Sequence, residues 1–380
     1  MTSIKISLIY GVNKIDKLKI SVYAICKNEE KFVKRWLQSM SEADEIFVTD
    51  TGSSDKTVPL LKDGGAKVQT VVLNEWRFDT ARNLSLDFVS DDTDICVCTD
   101  LDEVFEKGWR EKLEKVWIKG KITRARYNYT WSFNEDGTPD VTFLLDKIHA
   151  RHGYKWVHPV HEILKYENGS EIFIETDIQL NHYPDSAKSR RQYLPLLELS
   201  VKEAPNDDRN VHYLGREYMF YGKWDKCIET LKYHLSLPSA RWLDERCASM
   251  RYIARAYRAK GDLKNASVWL YRAIAEAPYL REPYVETAYL AYLEENWEKV
   301  YFAIQEALKI KKRPKTYINE GFCWDSTVYD LGAVAAYHLG LYQKSLELAE
   351  KAYELNPNDE RIKNNFEIIK RAAEIKRTSE

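Results

Sequence analysis

Short apolar runs closed by polar or acidic residues alternate with stretches of helical spacing along the first hundred positions. Ile20–Cys26 is such a run; it reads as a buried strand and ends in Lys27-Asn28-Glu29-Glu30. Phe32, Val33, Trp36, Leu37 and Met40 follow at helical spacing, with acidic residues in the first turn as the helix dipole prefers. Glu45–Thr49 predicts a second strand, closed by Asp50-Thr51-Gly52-Ser53-Ser54-Asp55. Lys56–Leu61 predicts a short helix stopped by Gly64-Gly65, Lys67–Leu73 a third strand, and Asp79–Val89 a helix on Ala81, Leu84, Leu86 and Phe88. Asp94–Thr99 is a fourth strand, and it runs straight into Asp100-Leu101-Asp102-Glu103. A further short strand through Ile4, Ile6 and Leu8 falls within Ser3–Lys19. Strands alternating with helices imply a parallel sheet with right-handed crossovers. Their polar ends then converge along one edge, where open α/β sheets bind ligands.

From Thr123 to Tyr183 the pattern turns strand-rich, with Arg124–Thr130, Val141–Leu145 and Ile172–Leu180 as the elements. Tyr127, Tyr129, Trp131 and Phe133 alternate with polar residues and give one aromatic face, read either as core packing or as a platform for an acceptor. After Pro184 the chain is helical throughout and repeats itself. Gly215, Tyr218, Gly222, Trp224, Cys227 and Leu231 form one unit; Ala254, Tyr257, Gly261, Leu263, Ala266, Leu270, Ala273 and Pro278 form the next. A third runs through Ala288, Ala291, Trp297, Val300, Ile304 and Ala307, with Glu295 where the turn glycine would stand. A fourth holds Ala333, Ala336, Gly340, Tyr342, Ser345, Ala349, Ala352 and Pro357. This pattern resembles tetratricopeptide repeats, whose units bury their faces only against neighbours. Lys311–Trp324 is an inserted loop. The expected division is 1–185 and 186–380.

Composition narrows the function classes. The chain has 380 residues, 44% apolar and 31% charged, which is the balance of a globular protein of two ordinary domains. A formal net charge of −2 gives no electrostatic argument for nucleic acid. Residues 1–185 carry 25 basic against 31 acidic side chains, and residues 186–380 carry 32 against 28; the helical half could therefore dock an acidic acceptor or a partner subunit. No apolar run approaches the roughly 20 residues of a membrane span. Met1–Tyr10 is too short, and too broken by Lys5, for a secretion signal. Six scattered cysteines without a CxxC pair read as buried free thiols in a reducing compartment, so a cytoplasmic location is expected.

The chemistry lies at the strand ends. Asp100 and Asp102 are two apart, so on an extended backbone both face one side, where they suit a hard divalent cation and hence a diphosphate. A solvated acidic turn is the alternative. Asn28 and Glu29, then Asp50 and Asp55, arrive from the first two strands. Gly52 and the small hydroxyl residues beside it let a ribose approach the backbone. Neither GxGxxG after the first strand nor GxxxxGK[ST] occurs, so phosphates would be held by metal and basic side chains.

In order and spacing, Lys27-Asn28-Glu29-Glu30, Asp50-Thr51-Gly52-Ser53-Ser54-Asp55, Ala81-Arg82-Asn83 and Asp100-Leu101-Asp102-Glu103 resemble family 2 glycosyltransferases of the GT-A fold over residues 20–110. The implied fold is an α/β, Rossmann-like mixed sheet followed by an all-α tetratricopeptide-like solenoid. The resemblance implies nucleotide-sugar contacts from Asn28, Glu29, Asp50, Asp55, Arg82, Asp100 and Leu101. It implies a divalent metal, Mn²⁺ or Mg²⁺, on Asp100 and Asp102. Leu180-Asn181-His182-Tyr183 resembles the late histidine that completes this metal site, although a lone histidine at a strand end can also be structural. Trp156–Glu162 resembles the His-Glu segment that follows the nucleotide half. Glu162, or else His161, is then the general base of an inverting transfer; on a strand the two would point apart. The two-domain combination is similar to peptide S-glycosyltransferases of the sublancin type. It implies a UDP-sugar donor and a peptide, protein or saccharide acceptor; a non-catalytic scaffold acting through its repeats is the rival.

Overall fold

Strand β1 (Ile20–Cys26) is buried at every position, as a parallel strand covered on both faces must be. In the computed structural model, which describes residues 17–134, 136–185 and 192–379, this strand lies inside an eight-stranded sheet. There follow in order α1 (Glu30–Met40), β2 (Glu45–Asp50), α2 (Thr57–Asp63), β3 (Lys67–Thr70), α3 (Phe78–Phe88) and β4 (Ile95–Cys98). Next come β5 (Glu103–Phe105), α4 (Trp109–Glu114), β6 (Arg124–Thr130), β7 (Thr142–Ala150), β8 (Tyr154–Val157), β9 (Ile163–Tyr166) and β10 (Phe173–His182). The sheet order is β3-β2-β1-β4-β7-β6-β10-β5, and β8 with β9 forms a separate hairpin. The first four strands pair in parallel, whereas β7 joins both β4 and β6 antiparallel, so the sheet is mixed. The chain reverses direction of winding between β1 and β4. That is the switch point at which such sheets open a crevice.

Alternation along β1 feeds two cores. Ile20, Val22 and Ala24 face Phe32, Val33, Trp36 and Met40 of α1. Tyr23 faces the other way, among Leu86, Cys96, Cys98, Tyr154 and Trp156. All six cysteines are buried and free. The N-terminal strand expected through Ile4, Ile6 and Leu8 lies outside the described residues.

The helical half begins with α5 (Tyr193–Glu203) and continues as helix pairs: α6 (Asp208–Phe220) with α7 (Trp224–Ser236), and α8 (Leu243–Ala259) with α9 (Leu263–Glu276). The pairs α10 (Glu282–Leu293) with α11 (Trp297–Lys309) and α12 (Ser326–His338) with α13 (Tyr342–Leu355) follow, and α14 (Glu360–Ser379) closes the array. The four turn positions picked out by the repeats, Gly222, Gly261, Glu295 and Gly340, all have left-handed φ values, of 66°, 80°, 52° and 72°. Gly215 lets α6 meet α7: a Cβ there would stand 2.3 Å from Leu231. No helix among the described residues is long and apolar enough to cross a membrane.

Among the described residues the halves meet at several places. The β8–β9 connection sits on α6, with Val160 buried in the array's core and the Asn210 amide 3.0 Å from His158 Nδ1. The insert between α11 and α12 reaches back to the sheet, where Arg313 pairs with Asp140 at 3.0 Å and Lys315 donates to the Asn128 side chain at 3.2 Å. The expected boundary at 185 borders residues 186–191, which lie outside the described residues.

Glu295 is exposed and holds a conformation that costs a non-glycine residue about 1 kcal/mol. Glu295→Gly should therefore shift the urea midpoint upward, by a stability gain of up to about 1 kcal/mol, since part is returned to the unfolded chain's entropy.

Candidate active site

The carboxyl ends of β1 and β2 are tied into one another before any ligand is considered. Asn28, left-handed at φ 55°, accepts from the Ser54 amide at 2.8 Å, and its own amide donates to Ser53 Oγ at 2.9 Å. Asp55 accepts from the Thr57 hydroxyl at 2.6 Å, the Thr57 amide at 3.0 Å and the Glu30 amide at 3.3 Å. Burial alone would raise the Asp55 carboxyl, but these donors hold it below its ordinary range. The Glu29 amide donates to Thr57 Oγ1 at 2.7 Å. Asp50 is buried and accepts from the Gly52 and Ser53 amides at 3.2 and 3.0 Å. The predicted nucleotide residues thus form a braced double loop in which Asp50 and Asp55 hold backbone amides.

Arg82 is the centre of the site. Its side chain, 4% exposed, projects from α3 and donates to Asp100 at 2.7 Å, to Glu162 and to the Cys98 sulfur. Its guanidinium lies 5.3 Å from the Trp156 ring centroid. Burial disfavours this charge, yet Asp100, Cys98 and Glu162 together keep it firmly protonated. Asn83 adds a two-way clamp: its side chain donates to the Trp156 carbonyl and accepts from the Trp156 amide, each at 2.9 Å. Lys147 of β7 reaches Asp100 at 3.4 Å from the opposite side. Burial works against ionising Asp100, and Arg82 and Lys147 outweigh it, so the carboxyl stays well below the usual range.

Asp100 and Asp102 do not share a face of an extended strand. The chain turns at once after β4, with the Glu103 amide donating to the Asp100 carbonyl at 3.1 Å. Asp100 faces Arg82, whereas Asp102 faces His182 at the end of β10, with Oδ2 3.5 Å from Nε2. His182 donates from Nδ1 to the Trp131 carbonyl at 3.1 Å, and Trp131, half exposed, stacks on it with ring centroids 4.4 Å apart. Burial lowers the His182 pKa and Asp102 raises it more, leaving it above its ordinary value. Asp100, Asp102 and His182 therefore come close along one edge as two partnerships, not as a set of three convergent ligands. Leu101, expected among the nucleotide contacts, is 2% exposed and packs in the core beneath.

His161 and Glu162 stand in the β8–β9 connection and not on a strand; His161 has φ 52°. The backbone turn sends them to different neighbours. Glu162 turns to Arg82, and His161 stacks on Tyr213 of α6, with centroids 4.0 Å apart and planes at 13°.

Sequence reasoning missed Lys147, and it gave no role to Glu103. Glu103 is buried, accepting from the Asp100 amide and the Tyr129 hydroxyl at 2.9 Å each. Burial raises its carboxyl, with Lys147 pulling the other way. A lysine inside the apolar stretch Thr142–Ala150 was the available signal for an inward-facing charge.

With this geometry in place, residues 21–166 match the family model described as "Glycosyl transferase family 2". That segment is a family 2 glycosyltransferase domain, of the GT-A class. The chain is 26% identical over 244 residues to the SPbeta prophage-derived glycosyltransferase SunS of Bacillus subtilis, covering 60% of this chain and 55% of that protein. It is 30% identical over 106 residues to the lipopolysaccharide core biosynthesis glycosyltransferase LpsC of Rhizobium meliloti, covering 27% of this chain and 38% of that one. The chain thus spans about half the length of SunS. Among solved structures, that of MamA is 19% identical and covers 47% of this chain and 99% of MamA, with a TM-score of 0.36. The architecture of the helical half rests on its own helix pairs.

Beneath Arg82 a buried hydrogen-bond chain supports Trp156. Its indole N–H donates to the Tyr23 hydroxyl at 2.9 Å, and Tyr23 donates to His149 Nε2 at 2.8 Å, since Nδ1 donates to the Ala150 carbonyl. Burial depresses the His149 pKa to about 3. A histidine so depressed contributes stability above its unfolded pKa of about 6.5, and that contribution is lost as pH falls toward the folded value. Urea titrations from about pH 6 down to about pH 4 should show His149→Gln lessening the pH slope of unfolding by about 1.4 kcal/mol per pH unit, one proton's worth. An unchanged slope would mean that His149 takes up its proton while folded.

Proposed function

We propose that this chain is a metal-dependent, inverting glycosyltransferase that moves a sugar from a UDP-sugar to a peptide or protein acceptor. The observation that carries this reading is the edge formed by Asp102–His182 beside Asp100–Arg82–Glu162, at the switch point between β1 and β4. His182 donates from Nδ1 to a carbonyl, so once Nε2 gives up the proton that Asp102 favours it can offer a lone pair 3.5 Å from that carboxylate. Two lone-pair donors facing one another across 3.5 Å fit a divalent cation, Mn²⁺ or Mg²⁺, and the backbone partner fixes the ring as metal sites require. When bound, that cation neutralises the diphosphate of the leaving group. Asp100 remains oriented by Arg82 and Lys147, whose charges also favour an anionic donor at the same edge.

The braced loops at residues 27–30 and 50–57 shape the nucleotide end, with Asn28 and Glu29 on one rim. Asp50 and Asp55 act there through the amides they position. Glu162 shares Arg82 with Asp100 and so borders the transfer point. In this reading it accepts the proton of the attacking nucleophile, and His161 is a positioning residue held on α6. Residues 1–185 form the transfer domain and 186–380 the array that receives the acceptor. The sequence resemblance and the insert that folds from the array onto β6 and β7 support a peptide or protein acceptor. The LpsC match keeps a saccharide as the second acceptor class.

Two variants test this. Asp102→Asn should abolish metal-stimulated release of UDP, with the melting temperature nearly unchanged; undiminished release would remove the cation from this edge. Glu162→Gln, which can still accept from Arg82, should lower transfer by about 10²–10⁴-fold while donor binding by calorimetry persists. A parallel loss of donor binding would make Glu162 structural instead. No metal-dependent turnover with any nucleotide-sugar, together with intact folding, would favour a scaffold acting through its repeats.

A further inference from the structure

A second cluster of metal-binding side chains lies inside the helical array, away from the transfer edge. His212 of α6, His234 of α7 and Glu245 of α8 are buried, the two histidines completely. One nitrogen from each ring and one Glu245 carboxylate oxygen lie within 4.8 Å of one another. Among the described residues they are the one group of three that comes so close.

The hydrogen bonds around the cluster occupy one nitrogen of each ring and leave the other. Ser249, one turn along α8 from Glu245, places its hydroxyl oxygen 2.8 Å from His212 Nδ1 and 3.0 Å from His234 Nδ1. One hydroxyl thus holds the same nitrogen of both rings. Both Nε2 atoms are buried without a hydrogen-bond partner, and that of His234 stands 3.4 Å from Glu245 Oε1. His234 Nε2 has only the Glu245 carboxylate before it, and His212 Nε2 has no partner; an unpartnered polar atom this deep is costly. Ligand atoms around a tetrahedral zinc ion lie about 3.4 Å apart, so the His234–Glu245 separation already suits one. Two imidazoles and a carboxylate make a zinc-type donor set, with Ser249 as the outer partner that orients both rings.

Three arginines stand near the cluster. Arg251 sits 3.3 Å from Glu286 and 3.4 Å from Glu320, while Arg209 and Arg216 lie over the Tyr213 ring at 5.3 and 4.7 Å. Glu245 meets the histidines and Tyr317 directly, the Tyr317 hydroxyl donating to its second oxygen, and Arg209 acts on it only through its charge. Tyr317 belongs to the insert that touches the sheet, and its ring packs near Phe143 of β7 at 6.3 Å.

We propose that His212, His234 and Glu245 bind a zinc-class divalent cation that fastens α6, α7 and α8 together and, through Glu245 and Tyr317, seats the insert on the sheet. The site is structural and separate from the cation of the transfer edge. Its fourth position is open to water or to the Tyr317 oxygen.

Cobalt reports on it, because tetrahedral Co²⁺ absorbs visible light far more strongly than octahedral Co²⁺ on oxygen ligands. The full chain, stripped with chelator, should take up one equivalent of Co²⁺ with an intense visible band, melt several degrees higher, and release the ion to Zn²⁺. Asp102→Asn should keep that equivalent, and His234→Gln should lose it while the far-ultraviolet dichroism stays the same. Ser249→Ala should weaken binding by about 10–100-fold. Identical melting of stripped and zinc-loaded wild type would overturn the proposal whether or not the variants fold. So would a Co²⁺ band that vanishes in Asp102→Asn.

Discussion

The buried guanidinium of Arg82 is the interaction on which the candidate site depends. A charge only 4% exposed is tolerable because two carboxylates, from separate parts of the chain, meet it. Asp100 arrives from the end of β4 and Glu162 from the β8–β9 connection, so one side chain fixes the spacing between the nucleotide half and the later segment. Removing either partner of such a buried pair typically costs about 3–5 kcal/mol, most of it the stranded charge. That cost explains why Asn83 clamps Trp156 beneath the guanidinium and why Tyr23 and His149 brace Trp156 in turn. The cation is held in a stack of hydrogen-bonded aromatic groups, not in a simple ion pair.

The helical array takes part in the same construction. Glu162 belongs to a loop whose neighbour His161 is pressed against Tyr213 and whose Val160 is buried among array residues. Farther along, Arg77 pairs with Glu203 of α5 at 2.6 Å, and the Phe78 amide donates to the Pro159 carbonyl at 2.9 Å. The start of α3, the β8–β9 connection and the first array helices therefore form one packed block. The array is more than a docking platform joined by a tether: its first repeat supports the loop that places Glu162.

How much of this the sequence disclosed depends on the range of each signal. The first four strands were legible within a residue or two, except for β3, which stops at Thr70 and not Leu73. Periodicity also exposed the repeats, and even the irregular one, because Glu295 occupies the left-handed turn position that glycine fills in the others. Elements without a period escaped notice: β5 is three residues long, and β8 with β9 is a small hairpin whose value lies in tertiary contacts. Most of the candidate site residues lie along one edge of the sheet, but their partners were not foreseen, and Leu101 lies in the core. Assuming an extended backbone put Asp100 and Asp102 on one face, and the turn at Glu103 separated them. Lys147 and Ser249 could not be paired from spacing, because what each touches comes from a distant element.

The two cation readings differ in donor chemistry, and that difference has a physical consequence. The transfer edge offers a carboxylate and one imidazole, with the donor's diphosphate oxygens to complete the set, and oxygen-rich surroundings suit Mg²⁺ or Mn²⁺. The array cluster offers two buried imidazoles and one carboxylate, a set that suits zinc and is poor for magnesium. Exchange at the two places is also unequal. In the proposed reading the edge would share its cation with the nucleotide, whereas His212 and His234 are wholly buried and would release an ion only when helices part. If both proposals hold, one chain would keep a labile cation at the edge and a fixed one in its frame, because burial and ligand type would sort the metals without any further selectivity device.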